Sequence, residues 1–285
     1  MSNPTDYSVQ GHLTISFPMK SAADCAAARD KIPTLVPDLY RAADAMGTLH
    51  YCRFIELNDT IYLLADFDGD VETILEGLAK HLGPVLNPVF GHVSDAPPTP
   101  VANNTQAFVK WAKDHYIEPF ATYCAYPGAT VQKIKSLASA AGIALNMAGV
   151  EQHPLLVIMP MRSRLSVVAL QATFMVLGSH INKGGDAVGT VHFIHVARLT
   201  VDQVGFFTIY DGTFDNYIQD FADQLGPAFD LMFKLVVDPI PTPTSKNVGP
   251  FTKWTREHDL APLAFYSAYP GLQVQDIKAL LADAS

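Results

Sequence analysis

Positive charge is scarce and scattered in this sequence. The 285 residues include 19 Lys and Arg against 28 Asp and Glu, which gives a formal net charge of −9. No stretch of the chain is rich in Lys or Arg, as a nucleic-acid groove or a patch for an anionic membrane would require. We therefore expect neither a nucleic acid nor a membrane among the partners.

Long apolar runs and an even set of cysteines are also missing. The longest apolar stretches, such as PLLVIMPM from Pro154, are too short to span a bilayer, and the N-terminal sequence does not have the pattern of a signal peptide. The three cysteines, Cys25, Cys52 and Cys124, show no metal-ligand spacing. These features predict buried, reduced thiols and a cytoplasmic location.

Several enzyme motifs are absent from the sequence. It contains no Walker loop, no dinucleotide-binding glycine fingerprint, no HExxH and no GxSxG. The glycine-rich stretch HINKGGDAVG at 180–189 joins a helical pattern to a strand pattern, so we interpret it as a connection. A phosphate-binding loop is therefore not expected.

An internal repeat covers almost the whole chain. GTLHY at Gly47 matches GTVHF at Gly189, an offset of 142, and the YPG at 126–128 recurs at 269–271, an offset of 143. The change of offset indicates one inserted residue in the second copy. The sequence therefore predicts two repeats, 11–142 and 153–285.

Each repeat carries the order of elements βαββαβ. In the first copy HLTISF predicts a strand, and GTLHYCRFIEL and TIYLLADF predict a hairpin with its turn at NDT. DGDVETILEGLAKHLG predicts a helix capped by Asp70 or Asp68, and PFATYCAY predicts a fourth strand. This is a ferredoxin-like arrangement of the α+β class. Because the strands are apolar on both faces, we expect the two antiparallel sheets to face each other.

The element order and the tandem repeat resemble the dimeric α+β-barrel superfamily in a fused, single-chain form. More narrowly, GTLHYCRFIEL, LLADFDGDVETIL and AYPGATVQKIK resemble a bacterial family with a HFARF…FDG…YPGxTVxxI pattern that is sometimes linked with peroxidases. The superfamily includes haem peroxidases, chlorite dismutases, haem-degrading monooxygenases and cofactor-free isomerases. The resemblance implies a monomer or homodimer that binds haem or a small hydrophobic molecule, and the fold by itself does not choose the chemistry.

The fourth strands of the two copies agree on one face and differ on the other. The agreeing residues are Ala121, Tyr123 and Ala125, which recur as Ala264, Tyr266 and Ala268. On the other face Thr122 becomes Phe265, and Cys124 becomes Ser267. We expect the constant face to hold the helices and the divergent face, with Phe265 and Ser267, to bind a ligand. Compensating changes in an ordinary core would give the same pattern.

One strand interior exchanges two cationic residue types between the copies. LHYCRF becomes VHFIHV, so that Arg53 corresponds to His195. Arg53 would bind an anionic group or a haem propionate, and His195 would act as an acid or base or, if haem binds, as its metal ligand. The alternative is a hydrogen-bonded core histidine and an arginine whose charged head reaches solvent.

Two further motifs have both structural and functional interpretations. Asp68 and Asp211 precede helices and fit turn or cap positions. By analogy with the distal GxxDG motif of dye-decolourising peroxidases, Asp211 is also a candidate catalytic acid, although TIYDG has no first glycine. In FVKWAKDH and FTKWTREH a histidine follows a tryptophan by four residues, which is typical of a packed helix end and also suits a haem ligand.

These observations lead to three functional hypotheses. The first is an oxidoreductase that binds haem or a small hydrophobic ligand and is peroxidase-like if haem binds. The second is a non-catalytic binding or scaffold protein, and the third is a cofactor-free isomerase or monooxygenase. An enzyme should show asymmetry, because one half should keep a polar site that the other half has filled.

Overall fold

The protein is mixed α+β, as the sequence predicts. The computed structural model describes residues 10–145 and 152–284, apart from the side chains of residues 179–181. In these residues the strands are β1 Gln10–Pro18, β2 Leu49–Leu57, β3 Thr60–Asp68, β4 Ala121–Cys124, β5 Gln152–Pro160, β6 Val191–Arg198, β7 Gln203–Asp211 and β8 Ala264–Ser267. The helices are α1 Ala22–Lys31, α2 Val36–Met46, α3 Val71–His81, α4 Gly83–Phe90, α5 Thr105–Asp114, α6 Val131–Ala140, α7 Arg164–Val188, α8 Phe214–Phe233, α9 Val248–His258 and α10 Val274–Asp283.

The chain forms two compact units, each built on one four-stranded antiparallel sheet. The described residues of the first unit are 10–118, Pro127–Ala144 and Pro262–Tyr269, and its strand order is β1-β3-β2-β8. The second unit contains Pro119–Tyr126, 152–261 and 270–284, and its strand order is β4-β6-β7-β5. Two antiparallel sheets are thereby confirmed, and their face-to-face packing stays a prediction.

The fourth strand of each repeat does not pair in the sheet of its own repeat. β8 comes from the second repeat and pairs with β2, where Phe265 lies opposite Arg53. β4 comes from the first repeat and pairs with β6, where Thr122 lies opposite His195. The repeats 11–142 and 153–285 therefore differ from the compact units by the exchange of one strand. A ferredoxin-like domain would instead keep this strand in its own sheet.

The β2–β3 hairpin turns through two residues in the left-handed conformation. Leu57 pairs with Thr60, and Asn58 and Asp59 between them have φ of 50° and 54°. A two-residue turn of this kind matches the right-handed twist of the strands, and Asn and Asp tolerate it better than most residues. The predicted turn is confirmed.

Helix ends in the first unit follow local capping rules. Asp70 caps the N-terminus of α3, because its carboxylate accepts a hydrogen bond from the amide of Thr73. Ser21 caps α1 in the same way, since its hydroxyl accepts a hydrogen bond from the amide of Asp24. Pro33 and Pro37 lie where the predicted long helix separates into α1, a short 3-10 turn and α2. The cap of α3 is therefore Asp70 rather than Asp68.

Helices cover one face of the first sheet through an aromatic core. The ring of Phe17 on β1 lies 5.4 Å from that of Phe90 on α4 and 5.0 Å from that of Trp111 on α5. On β8 the hydroxyl of Tyr266 donates to Asp44 of α2 at 2.8 Å. Burial of each such aromatic ring stabilises the fold by about 1.5–3 kcal/mol.

Helices cover the second sheet on the corresponding face. The hydroxyl of Tyr123 on β4 donates to Asp186 of α7 at 2.9 Å, as Tyr266 does to Asp44 in the first unit. Gly185 lets α7 approach closely, because a Cβ atom there would lie 2.8 Å from the Tyr123 ring. These contacts place the constant face of the fourth strands against helices, as expected. The glycine-rich stretch at 180–189 is thus the end of α7 and its cap at Gly189, and not an irregular connection.

Helix α7 carries exposed apolar side chains, including Leu165, Met175 and Val176. Among the described helices, none is by itself long and apolar enough to cross a membrane. Two helical segments taken together are long and apolar enough by length and composition alone, Arg164–Gly178 and Asn182–Val188, and they are bent by 71° relative to each other.

Candidate functional site

A buried histidine joins three segments of the first unit. With the proton on Nε2, His50 donates to Asp68 Oδ1 at 2.8 Å, and its Nδ1 accepts from the hydroxyl of Tyr269 at 2.7 Å. The second oxygen of Asp68 accepts from the amide of Val131 at 2.8 Å, at the start of α6. The tyrosine of a YPG motif and the first turn of a helix are thereby fixed to the sheet.

The second unit repeats this arrangement. His192 contacts Asp211 Oδ1 at 2.7 Å and the hydroxyl of Tyr126 at 2.9 Å, and Asp211 Oδ2 accepts from the amide of Val274 at 2.7 Å. In both units the histidine lies at a shift in strand register. Because both copies keep the same contacts, we interpret the two clusters as parts of the scaffold. The contacts of Asp211 are those of a structural residue.

Three of the predicted site residues lie together on the helix-free face of the first sheet. Arg53 lies opposite Phe265, and Tyr51 lies opposite Ser267. The rings of Tyr51 and Phe265 stack with centroids 6.1 Å apart. Arg53 is only 2% exposed, so its charge is held inside the protein. A buried guanidinium of this kind is a strong site for a negative charge.

A histidine and an aspartate that the sequence analysis missed lie on the same face. His12 on the edge strand β1 lies opposite Asp66, and His12 Nδ1 is 2.7 Å from Asp66 Oδ1. The side chain of His12 is 9% exposed and that of Asp66 is 2% exposed. Asp66 also lies opposite Tyr51, two pairs along from Arg53 and on the same face of the sheet. The face thus combines a carboxylate-oriented imidazole with a buried cation.

The corresponding face of the second sheet has lost most of these polar groups. Strand register places Pro154 opposite Ile209, as His12 lies opposite Asp66 in the first sheet. Phe193 likewise takes the place of Tyr51 opposite Ile209, and His195 takes the place of Arg53. Alignment of the first and third strands of the two repeats would have revealed this asymmetry. The helix-free face is therefore polar in the first sheet and largely apolar in the second sheet.

His195 itself lies in tight packing. It is 1% exposed, and its ring centroid is 4.9 Å from that of Phe207, its neighbour on β7. Both ring nitrogens of His195 are buried, and a haem iron could reach them only if the packing opened. The residues around His195 therefore do not fit a haem, and no chemical step is assigned to one.

The two tryptophan–histidine pairs are packed helix ends. The rings of Trp111 and His115 stack at 4.4 Å, and those of Trp254 and His258 stack at 4.0 Å. Each histidine Nδ1 donates to the carbonyl of its tryptophan at 2.8 Å. These contacts agree with the packed-helix-end interpretation.

Comparison with known proteins gives distant likenesses in structure. No family model matches the chain, and no curated protein matches it. One similar structure is a "putative monooxygenase" from Lactobacillus acidophilus NCFM, with 8% identity, a TM-score of 0.41, and coverage of 93% of this chain and 99% of that one. Another is a "putative monooxygenase" from Fusobacterium nucleatum, with 9% identity, a TM-score of 0.36, and coverage of 94% and 98%. An "anthrone oxidase-like protein" has 10% identity, a TM-score of 0.34, and coverage of 93% and 95%. At this level the function has to be argued from the chain's own residues.

Proposed function

We propose that the protein is a small-molecule oxidoreductase of the cofactor-free kind, with its reaction centre on the helix-free face of the first sheet. The observation that carries this proposal is the asymmetry of the two units. His12 and Asp66 form a part-buried pair on the same sheet face as Arg53 in the first unit, where the second unit has Pro154 and Ile209. Scaffold residues are kept in both copies, whereas these residues are specific to one.

His12 serves as the general base in this proposal. Asp66 accepts the Nδ1 proton of His12 at 2.7 Å, which fixes the ring orientation and leaves Nε2 as the basic atom. Stabilisation of the imidazolium by the Asp66 carboxylate makes proton abstraction easier. The substrate would therefore contain an acidic hydrogen, as in a phenol or an enolisable ketone.

Arg53 stabilises the anion that this step produces. Its guanidinium is 2% exposed, and a charge interaction is stronger there than in water. Tyr51 and Phe265, stacked on the same face, provide an apolar wall for a small ring. An enolate or phenolate formed at this place can transfer electrons to dioxygen. Oxidation of a CH₂ group to a carbonyl then consumes one O₂ and releases one H₂O.

Oxygen consumption tests the proposal directly. Purified protein is screened with phenols and enolisable ketones in an oxygen electrode, and the best compound is used for the variants. His12→Gln and Asp66→Asn should lower kcat by about 10²–10⁴-fold, because they remove the base or its orientation. Arg53→Lys should lower kcat less, because the charge remains while the planar geometry is lost.

A matched control comes from the second unit. His153→Gln removes an exposed histidine of β5 and should leave the rate unchanged. The proposal is wrong if folded His12→Gln and Asp66→Asn variants retain full activity. A product that forms without O₂ uptake would show an isomerase instead, and binding without any turnover would show a binding protein.

A further inference from the structure

Helix α7 of the second unit is apolar on two opposite sides. On the inner side Val167, Leu170 and Phe174 are buried, and the ring of Phe174 lies 5.6 Å from that of Phe120. A helix of a globular protein normally has polar residues on its outer side. The outer side of α7 instead carries six exposed apolar residues, which we call the α7 face: Leu165, Val168, Ala169, Ala172, Met175 and Val176.

The first repeat does not carry this face. Its equivalent positions, 142 residues earlier, hold Ala23, Ala26, Ala27, Asp30, Pro33 and Thr34. The large apolar side chains are thus missing there, although α1 and α7 both begin at a serine cap. Because the shared scaffold does not need these side chains, they serve a purpose that is specific to the second unit.

The α7 face has the size of the apolar centre of a small protein interface. Leu165 and Met175 are 79% exposed, Val176 is 78% exposed and Val168 is 55% exposed. Because a side chain of this size carries about 60–120 Å² of apolar surface, the four together present about 200–350 Å². A stable dimer buries about 800 Å² on each partner, of which the apolar centre is only a part. The face is therefore large enough to form such a centre, with polar residues around it as the rim.

The charge distribution favours a second copy of this chain over a membrane as the partner. Residues 165–182 contain no Lys, Arg, Asp or Glu, although 16% of the whole chain is charged. Two copies, each with a net charge of −9, can therefore meet here without placing like charges together. A helix that lies on an anionic membrane instead has Lys and Arg beside its apolar side. In the sequence of Arg164–Gly178 only Arg164 is of this kind, so a membrane fits the face poorly.

The spacing of the six residues suits two antiparallel helices related by a twofold axis. The residues recur at intervals of three and four, as in a coiled coil. In a twofold contact, residue i of one copy meets residue j of the other, and j meets i. With the axis at the middle of the face, Leu165 meets Val176 of the other copy, and Ala169 meets Ala172. Large side chains then pack at both ends, and the alanines let the helices approach at the centre.

We propose that the α7 face is the contact between two copies of this chain in a twofold homodimer. The contact does not depend on the reaction centre proposed for the first unit. Its apolar centre is small, and affinity follows the quality of such a centre more than the total area. The dimer should therefore dissociate in the micromolar range of concentration.

Sedimentation equilibrium of the full chain tests the proposal. The wild type should approach twice the chain mass of 31.0 kDa and dissociate on dilution. Val176→Glu should raise the dimer Kd by at least ~10²-fold, because the twofold symmetry buries two unpaired carboxylates. Thr34→Glu is the matched control, since Thr34 is the exposed counterpart of Val176 in the first repeat, and it should leave Kd unchanged. Circular dichroism and thermal unfolding establish that both variants fold.

A charge-pair variant tests the antiparallel arrangement. Leu165→Lys alone should also raise Kd by about 10²-fold, because it buries an unpaired cation. The double variant Leu165→Lys, Val176→Glu should recover most of the affinity, since each lysine then meets a glutamate of the other copy. His12→Gln should leave Kd unchanged, which separates the dimer from the reaction centre.

Other results would overturn the proposal. They include a wild type that stays monomeric at its highest soluble concentration, a dimer that Val176→Glu and Leu165→Lys both leave intact, and a double variant that is as weak as the single ones. Flotation with vesicles of phosphatidylcholine and phosphatidylglycerol tests the alternative partner. Vesicle binding by the wild type that Val176→Glu abolishes would assign the face to a membrane instead. If Val176→Glu does not fold, Leu165→Lys decides.

Discussion

His50 donates to Asp68 across 2.8 Å inside the first unit, and this contact joins two neighbouring strands of the sheet, β2 and β3. The other oxygen of Asp68 holds the amide of Val131, the first residue of α6. A carboxylate at a helix N-terminus is favoured by the unpaired amides and by the helix dipole. In the second unit Asp211 makes the equivalent hydrogen bonds to His192 and to the amide of Val274. In both units, therefore, an aspartate at the end of a strand holds the N-terminus of the helix that follows a YPG turn.

Asp68→Ala should therefore lower the free energy of unfolding by about 2–4 kcal/mol, because it leaves His50 and the Val131 amide without their acceptor. Asp211→Ala should have a similar effect in the second unit. Urea unfolding followed by circular dichroism measures both. The control is Asp70→Ala, which removes only an exposed helix cap and should cost about 1 kcal/mol. Equal losses in Asp68→Ala and Asp70→Ala would contradict the scaffold role.

Asp59→Gly should stabilise the β2–β3 hairpin by about 0.5–1 kcal/mol, because glycine adopts positive φ without steric cost. Asp59 has φ of 54°. Asp59→Val should instead destabilise, since a β-branched residue is strained in this region. The midpoints of chemical denaturation of the two variants should shift in opposite directions from the wild-type midpoint. A shift in the same direction would argue against the turn geometry.

The buried thiols should react slowly in the folded chain. Burial and then the hydrogen bond to Glu56 raise the pKa of Cys25 to about 12, and burial raises the pKa of Cys52 to about 12, from an ordinary value of 9.0. Both thiols are thus protonated at pH 8, and iodoacetamide should modify them at least ~10²-fold faster in denaturant. Mass spectrometry of timed samples gives the rates, and rapid modification of the native chain would refute the prediction.

The same shifts predict an alkaline limit to stability. When the pKa of a thiol is higher in the folded chain than in the unfolded chain, its contribution to stability is fully present at pH values below the unfolded-state pKa. This contribution is lost as the pH rises through the folded-state pKa. Unfolding midpoints should therefore fall as pH increases from about 9 to about 12. Cys52→Ala should reduce this slope. If the unfolding midpoint of Cys52→Ala falls with pH as steeply as that of the wild type, other groups such as tyrosines cause the loss of stability.

Tyr266→Phe should cost about 0.5–1.5 kcal/mol, because it removes one hydrogen bond and keeps the ring. The bond joins the Tyr266 hydroxyl to Asp44 at 2.8 Å. Tyr123→Phe, which removes the equivalent bond to Asp186, is the matched variant and should have a similar cost. Thermal unfolding of both variants measures the effect, and a large difference between them would show that the two units do not use this bond equally.

Much of the fold could be predicted because its signals are local. The NDT turn, the Asp70 cap and the separation of α1 from α2 near two prolines depend on residues close in sequence. Comparison of the copies also placed Phe265 and Ser267 on one face of the fourth strand and singled out Arg53 on the second strand, and the pairing of β2 with β8 brings the three together. The contact between His12 and Asp66 was missed because the two residues come from different strands and are joined only by sheet register.

The repeat, the types of element and the apolar and polar faces of the strands could be read from the sequence, because they follow from the spacing of neighbouring residues. The strand exchange, in contrast, became visible in the sheet pairing alone. β4 and β8 share the pattern Ala-x-Tyr-x-Ala, and a strand's backbone can pair with any open sheet edge. Tertiary structure likewise placed His12 beside Asp66. Such contacts depend on which distant side chains meet, and periodicity along one segment does not specify them.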